Sequence, residues 1–161
     1  MSLSAMQLRR FRLSRLELRY NEDWIGMEDH PDTEAYSVGT DFDVFGPTDN
    51  EYAIRLEVDC KPSGEGATRY DGVGAEIWGI FVFTGECGED EVERMLVLNA
   101  PAILHGVLRG IIANASGSCA GGPFVLPAVN YIDVFKHKMQ QLELPEDPAS
   151  DDEEASGEER P

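Results

Sequence analysis

The alternation of apolar and polar residues between Tyr52 and Lys61 is the feature that most constrains the fold. One set of alternate positions is apolar: Tyr52, Ile54, Leu56, Val58 and Cys60. The positions between them carry mostly charged side chains: Ala53, Arg55, Glu57, Asp59 and Lys61. Because successive side chains of a β-strand point to opposite faces, this pattern predicts a strand in a sheet with one buried and one solvated face.

Three further segments are predicted to be strands of the same sheet, at residues 8–20, 36–45 and 75–84. In the first of them the apolar phase slips near Ser14 and Arg15, which predicts a β-bulge at that point. The last of them is apolar on both faces. Short, turn-rich links at residues 46–50 and 62–67 favour an antiparallel arrangement of the strands.

Helical periodicity replaces the strand pattern in the second half of the chain. Acidic residues at 89–93 suit the first turn of a short helix, where the helix dipole favours negative charge. Pro101 suits the first turn of a second helix. The apolar stripe of that helix is Ile103, Leu104, Val107, Leu108, Ile111 and Ile112. Asn130 is a good N-cap for a last helix over residues 131–142, so the sequence predicts an α+β fold.

Charge is distributed unevenly along a chain whose formal net charge is −18. Residues 143–161 contain nine acids, one arginine and almost nothing to bury, so we predict a disordered acidic tail after one domain at residues 1–142. The first predicted strand, in contrast, is basic: it contains Arg9, Arg10, Arg12, Arg15 and Arg19. Because so acidic a chain would be repelled by phosphate backbones, nucleic acid is not expected as a partner.

Several features predict a cytoplasmic protein that does not insert into membranes. We expect no apolar run to approach the roughly 18 residues that span a bilayer. Arginines interrupt the apolar residues at the N-terminus, so no signal peptide is predicted. The three cysteines, Cys60, Cys87 and Cys119, are odd in number and widely spaced, which fits free thiols in a reducing compartment.

No pattern in the sequence favours an enzyme. Gly117 to Gly121 has the spacing of a nucleophile elbow around Cys119, but an elbow follows a strand and precedes a helix, and here that order is reversed. A glycine-rich loop is the better interpretation. The histidines, His30, His105 and His137, have no metal-ligand spacing with one another or with the cysteines. We therefore predict no catalytic residue, no metal and no cofactor.

Two features point to an interaction role, each with a plainer alternative. Ala102, Gly106 and Gly110 recur every four residues opposite the bulky stripe of the second helix, which allows close approach of another helix, either within one subunit or between subunits. Trp24 and Ile25 lie in an acidic crossover between the first two strands. They either fold back onto the core or form an apolar groove for an extended peptide.

Short motifs in the C-terminal half resemble the SecB family of export chaperones in order and spacing. They are Gly79-Ile-Phe, Ala100-Pro-Ala-Ile-Leu, Arg109, and Val129-Asn-Tyr-Ile-Asp-Val-Phe135 with Met139-Gln-Gln. The likeness covers roughly residues 75–142, and several motifs in register are more specific than any one of them.

The resemblance implies a four-stranded antiparallel sheet with helices packed on one face, and a homotetramer built as a dimer of dimers. It implies ATP-independent holding of unfolded preproteins for the Sec translocase. The client contacts that it implies are Trp24, Ile25, Tyr36, Phe42, Tyr131 and Phe135. It implies contact with the motor protein SecA through Glu17 and Glu76, and an oligomer interface at Ala102, Gly106 and Gly110.

Departures from the family pattern leave two alternatives open. One acidic position of the SecA-binding face corresponds to Gly74, and the neighbouring strand is basic. A chaperone dedicated to one client, such as an antitoxin, fits these departures. The fold could also serve a non-chaperone adaptor or a ligand-binding module, because fold does not fix function.

Overall fold

A four-stranded antiparallel sheet forms the framework of the protein in the computed structural model, which describes residues 4–24, 36–64 and 68–143. Its strands are β1 (Met6–Tyr20), β2 (Tyr36–Thr48), β3 (Glu51–Pro62) and β4 (Tyr70–Phe83). They lie in the order β1-β4-β3-β2, so β1 and β2 are the edges. The predicted sheet is therefore confirmed.

The bulge predicted in β1 is present. Register shifts by one residue between Leu13 and Arg15, which leaves Ser14 unpaired. Leu13 is paired with Ile77, and Leu16 is paired with Ala75. Because Ile77 and Ala75 are alternate, buried residues of β4, the bulge brings leucines that are out of phase in sequence onto one face of the sheet.

The clean alternation of β3 separates the two faces of the sheet. Ile54, Leu56, Val58 and Cys60 are buried on one face, which we call the covered face because the helices lie against it. The charged residues between them lie on the opposite, open face. A tight turn joins β3 to β2, with Asp49 and Asn50 both at positive φ, as a two-residue hairpin turn of the primed type requires.

Strand β4 begins five residues earlier than predicted, at Tyr70 instead of Ala75. Glycines at positions 72 and 74 lie in this added part of the strand, where they make room for arginine side chains that reach across β4 from β1. A Cβ atom on Gly74 would lie 3.4 Å from the guanidinium of Arg15 and 2.6 Å from an oxygen of Asp59. Tertiary packing has thus outweighed the low strand propensity of glycine.

The helices are α1 (Glu89–Arg94), α2 (Ala100–Ser116) and α3 (Tyr131–Glu143). A π-helical turn at Met95–Asn99 joins the first two, so Glu89–Ser116 is one continuous helix of 28 residues. The sequence predicted two separate helices divided near Pro101. Proline is accepted here because it lies at the start of α2, where the π turn has already altered the hydrogen-bond pattern.

One face of α2 packs on the sheet, and it is narrower than predicted. Leu104, Leu108 and Ile112 are buried, whereas Ile103, which the sequence placed in the same stripe, is 39% exposed. Contact with the sheet is close, since a Cβ atom on Gly79 would lie only 2.6 Å from Cδ2 of Leu104. A residue larger than glycine at this point would therefore push α2 away from the sheet.

The continuous helix Glu89–Ser116 corrects one prediction. It is the one helix of the described residues that is long and apolar enough to cross a bilayer by length and composition, with a window of mean hydropathy 1.6. The expectation that no apolar run approaches that length was wrong. Part of this apolarity serves the packing on the sheet, since 39% of the window is buried.

The three cysteines are free thiols in different environments. Cys60 is 1% exposed on the covered face of β3, and its burial, followed by the nearby charge of Asp59, raises its pKa to about 12. Cys87 and Cys119 are partly exposed. Cys119 lies in the glycine-rich loop, where the hydroxyl of Tyr70 donates to the carbonyl of Gly122 at 2.6 Å.

Candidate functional site

An apolar groove opens between the continuous helix and α3, and we call it the α1–α3 groove. Its main cavity has a volume of about 410 Å³ and apolar walls of Val97, Leu98, Ile132 and Phe135. A smaller cavity of about 160 Å³ shares Val97 and Phe135 and adds Phe42, Val44 and Met139. The two cavities together form a continuous apolar path from the helices to the edge strand β2.

Large side chains in this groove are exposed to solvent. Ile132 is 49% exposed and Met139 is 42% exposed, although both are apolar. The rim carries charges of both signs from Asp90, Glu93, Arg94 and Lys136. Contiguous exposed apolar surface with a polar rim is typical of a site that binds another molecule.

Helix α3 is positioned at its start by the polar contacts of His105 and Asn130. Nδ1 of His105 is 2.9 Å from the hydroxyl of Tyr131, and Nε2 is 2.8 Å from the carbonyl oxygen of Pro127. Since that carbonyl can only accept, Nε2 donates to it and Nδ1 accepts from the tyrosine. Burial lowers the pKa of His105. As predicted, Asn130 caps the helix, with its Oδ1 accepting from the N–H of Ile132 at 3.2 Å.

Lys138 fixes the other end of α3 to the edge of the sheet. Its ammonium group lies 2.9 Å from a carboxylate oxygen of Asp41 and 2.9 Å from one of Asp43. The hydrogen bond from Lys138 is the main cause of the lowered pKa of Asp43. The groove therefore has a wall that is fixed at both ends, while its apolar side chains remain accessible.

The π turn supplies the opposite wall of the groove. It buries Leu96 and leaves Val97 and Leu98 partly exposed toward α3. A π turn accommodates one more residue per turn than an α-helix and so rotates the following side chains. The sequence carries no recognisable signal for this turn, which is why it was missed.

The predicted client contacts divide into three groups. Phe135 lies in the groove. Tyr36, Phe42 and Tyr131 are buried in the core, although Phe42 also lines the smaller cavity of the groove. The hydroxyl of Tyr36 both donates to the carbonyl oxygen of Tyr70 and accepts from its N–H, each at 2.9 Å. Trp24 is half-buried at the end of the crossover's first described part, and Ile25 lies outside the described residues. Their binding role stays a prediction.

Sequence reasoning missed most of the groove's apolar residues. They are Val44, Val97, Leu98, Ile132 and Met139. A signal was available in α3, where Ile132, Phe135 and Met139 recur at the i, i+3, i+7 spacing of one helix face. A second apolar stripe on a helix that already buries Tyr131 indicates a face that its own subunit does not cover.

The two acids predicted to contact SecA lie on the open face and are engaged there by neighbouring side chains. Hydrogen bonds from Ser14 and then from Nε1 of Trp78 lower the pKa of Glu76, and Arg55 approaches the same carboxylate at 3.4 Å. Glu17 lies 3.5 Å from Arg19. The contact with SecA is untested and stays a prediction.

The small-residue stripe of α2 faces away from the sheet. Ala102, Gly106 and Gly110 are exposed, and a Cβ atom on either glycine would meet nothing within 4 Å among the described residues. Packing within the described part of the subunit therefore does not account for these glycines. A surface of this kind leaves room for a helix of another molecule.

Among the described residues, no group of three or more His, Cys, Asp or Glu side chains could hold a metal ion. Cys119 has the carbonyl oxygen of Ala115 as its hydrogen-bond partner, at 3.6 Å.

Comparisons with known proteins bear on the fold. No protein-family profile matches the sequence, and no curated protein matches it. Among solved structures, the chain is similar to Rv1957, a SecB-like chaperone of Mycobacterium tuberculosis solved in complex with a ChAD peptide from the HigA1 antitoxin Rv1956. That match has a TM-score of 0.55 and 15% identity, and it covers 78% of this chain and 88% of Rv1957.

A second match is a Streptococcus agalactiae protein of unknown function, with 12% identity and a TM-score of 0.42 over 77% of this chain and 97% of that one. The sheet with helices on one side agrees with the architecture of the chaperone Rv1957. The chain therefore has a SecB-like fold.

Proposed function

We propose that this protein is an ATP-independent holdase that binds extended apolar segments of unfolded polypeptides in the α1–α3 groove. The observation that carries the proposal is the exposed apolar path between the helices, with Ile132 49% exposed and Met139 42% exposed. Covering such side chains with a client removes apolar surface from water, which stabilises by about 25 cal/mol per Å².

The make-up of the groove suits clients of varied sequence. Methionine is unbranched and adapts its shape to different partners, and Met139 lies at the end of the groove nearest β2. Rim charges of both signs can accommodate polar residues that flank an apolar segment. Further support comes from Rv1957, which shares the fold and is known in complex with a peptide from an antitoxin.

The proposal extends to the clients and the compartment. On the resemblance of the C-terminal half to SecB, the clients are preproteins held export-competent in the cytoplasm for the Sec translocase. SecA would dock at Glu17 and Glu76, and to do so it must compete with the arginines that now hold these acids, Arg19 and Arg55. Neither a cofactor nor catalysis is part of this role.

The active form is proposed to be a dimer of dimers joined through the exposed face of α2. Gly106 and Gly110 have open space above them, so a helix of another subunit can approach the backbone closely. Gly106→Leu is expected to block that approach and reduce the mass measured by light scattering, without unfolding the subunit. An unchanged mass would place the oligomer contact elsewhere.

A paired substitution in α3 tests client holding. Ile132→Asp puts a charge into the groove, whereas Gln140→Asp adds the same residue to an exposed position of the same helix. The wild-type protein and Gln140→Asp should suppress aggregation of a denatured, slow-folding client without ATP, and Ile132→Asp should not. Equal activity of the two variants would exclude the groove as the client site.

The choice of client separates the general role from the narrower ones. A general chaperone suppresses aggregation of several unrelated clients at near-stoichiometric amounts. Suppression confined to one antitoxin-like client would replace the export role with a dedicated one. No suppression of any client would leave an adaptor or a ligand-binding module on the same fold.

A further inference from the structure

A second exposed surface lies on the open face, at the end of the sheet near the hairpin between β2 and β3. It combines aromatic and aliphatic side chains with arginines, and we call it the basic–aromatic patch. Its residues are Arg10, Arg12, Phe45, Trp78 and Ile80. None of them lines the α1–α3 groove.

Apolar rings in this patch are held in place and yet exposed. Phe45 stacks on Trp78 with ring centroids 5.4 Å apart and an angle of 25° between the planes. Nε1 of Trp78 donates to Glu76 at 3.1 Å, which fixes the indole ring. Phe45 is 46% exposed. An ordered aromatic surface of this kind loses little side-chain entropy when a partner covers it.

The shape of the patch suits a narrow ligand. A cavity of about 340 Å³ lies among Arg10, Phe11, Arg12, Trp78 and Ile80. It adjoins, through Ile80, a second cavity of about 430 Å³ beside Phe45 and the hairpin. Together they make a shallow track across β1, β4 and β2, with room for a polypeptide segment.

The charge of the patch is opposite to that of the chain as a whole. Two arginines and no acid line the first cavity, and the second is lined by Arg9, Asp49 and Glu51, so three arginines stand against two acids. Arg9 and Arg10 share the carboxylate of Glu51, and Arg10, at 3.7 Å from it, keeps a side chain that is 71% exposed. Within the described chain, Arg12 has no ion-pair partner. A positive charge excess therefore remains beside the exposed rings.

Arginines elsewhere on the open face form close ion pairs, in contrast to Arg12. Arg55 lies 3.0 Å from Asp43 and 3.4 Å from Glu76, and Arg15 lies 2.9 Å from Glu57 and 3.1 Å from Asp59. Both of these arginines are held between acids. Arg12, in contrast, lies beside the exposed rings without an ion pair among the described residues.

From this juxtaposition we propose that the basic–aromatic patch docks an acidic segment of a partner protein, in which carboxylates alternate with apolar side chains. Carboxylates pair with the guanidinium groups of Arg10 and Arg12, and the apolar side chains cover Phe45 and Trp78. Nucleic acid would present phosphates to the same arginines, but the net charge of −18 repels a long polyanion. This site is independent of the holdase groove.

The probe is a short synthetic peptide that alternates Glu with Leu, and its matched control has Lys at every Glu. The background variant Trp24→Phe leaves Trp78 as the one tryptophan of the chain, so its emission reports contact at the patch. Arg12→Glu reverses an unpaired charge in the patch, and Lys61→Glu makes the same reversal at an exposed position of β3. We expect the acidic peptide to change the Trp78 emission and the basic peptide to leave it unchanged.

Affinity of the acidic peptide should fall about three- to tenfold with Arg12→Glu and stay constant with Lys61→Glu and with the groove variant Ile132→Asp. Added salt should weaken binding, since exposed charges are screened. The proposal is overturned if Arg12→Glu has no effect or if Ile132→Asp abolishes binding. It is overturned equally if a single-stranded oligonucleotide, or a peptide of residues 144–161, binds the patch as tightly as the probe.

Discussion

The covered and open faces of the sheet differ in how their side chains are held. On the covered face Ile54, Leu56 and Ile77 are fully buried under the helices, and each contact depends on the fit of its neighbours. On the open face the long charged side chains, such as those of Arg15 and Arg55, are held by several partners at once and remain partly exposed. One sheet thus supports a packed surface and an adjustable one.

Because of this difference, the covered face should determine the stability of the fold, and the exposed surfaces should determine binding. Burial of apolar groups contributes several kcal/mol per large side chain, whereas an exposed ion pair contributes about 0–1 kcal/mol. Substitutions on the open face and in the groove should therefore change binding with little effect on folding. Substitutions on the covered face should do the reverse.

The largest effect is expected from Leu104→Ala. Leu104 is fully buried and packs closely against Gly79, so its truncation leaves a cavity between α2 and the sheet. We expect the free energy of unfolding to fall by about 2–5 kcal/mol. Urea unfolding monitored by circular dichroism measures it. A loss as small as that of an exposed residue would mean that the helix does not pack on the sheet as described.

The next effect is expected from Tyr36→Phe. This change removes one hydroxyl that satisfies both the N–H and the carbonyl of Tyr70, and it leaves those buried groups without that partner. The cost should be about 1–3 kcal/mol of unfolding free energy. Because Tyr36 is buried, holdase activity of the folded variant should be unchanged. Loss of client binding without loss of stability would instead support the predicted client contact.

A pH titration of stability tests the packing on the covered side of the sheet, where His105 is buried. Its pKa in the folded protein is lowered from 6.5, mainly by burial, so the neutral form is favoured and its stabilising contribution is present above that value. Stability should fall as the pH drops below about 6.5 toward the folded pKa, because the unfolded state binds the proton more readily. His105→Gln should flatten this part of the pH profile. If the pH dependence of stability were the same in His105→Gln as in the wild type, a group other than His105 would be responsible for it.

The smallest effect is expected from Arg55→Met on the open face. Arg55 is close to several acids, but its side chain is 27% exposed and the pairs are screened by solvent. The loss of unfolding free energy should be about 1 kcal/mol or less. A loss as large as that of Leu104→Ala would break the distinction between the two faces.

Sequence periodicity predicted the sheet because each strand's pattern reflects burial on one face. The alternation of β3 and the slip at Ser14 both have direct counterparts in the structure. The start of β4 was missed because the glycines at 72 and 74 are explained only by arginines from another strand. Long-range packing of this kind leaves no local signal.

The candidate site was predicted less well than the fold. Of the residues chosen by resemblance, Phe135 lies in the groove's main cavity, whereas Tyr36 and Tyr131 are core residues. Aromatic type alone does not distinguish a side chain that binds from one that packs. The better signal was the second apolar stripe of α3, which only helical spacing reveals.

Cys60 gives the molecule an internal reporter of sheet opening. Its thiol is inaccessible and its pKa is raised to about 12, so a thiol reagent reacts with it only when β3 is exposed. Cys87 and Cys119, which are partly exposed, supply a reference for the reagent in the same molecule. The rate of Cys60 modification with and without an added client then measures whether binding stabilises the sheet against opening.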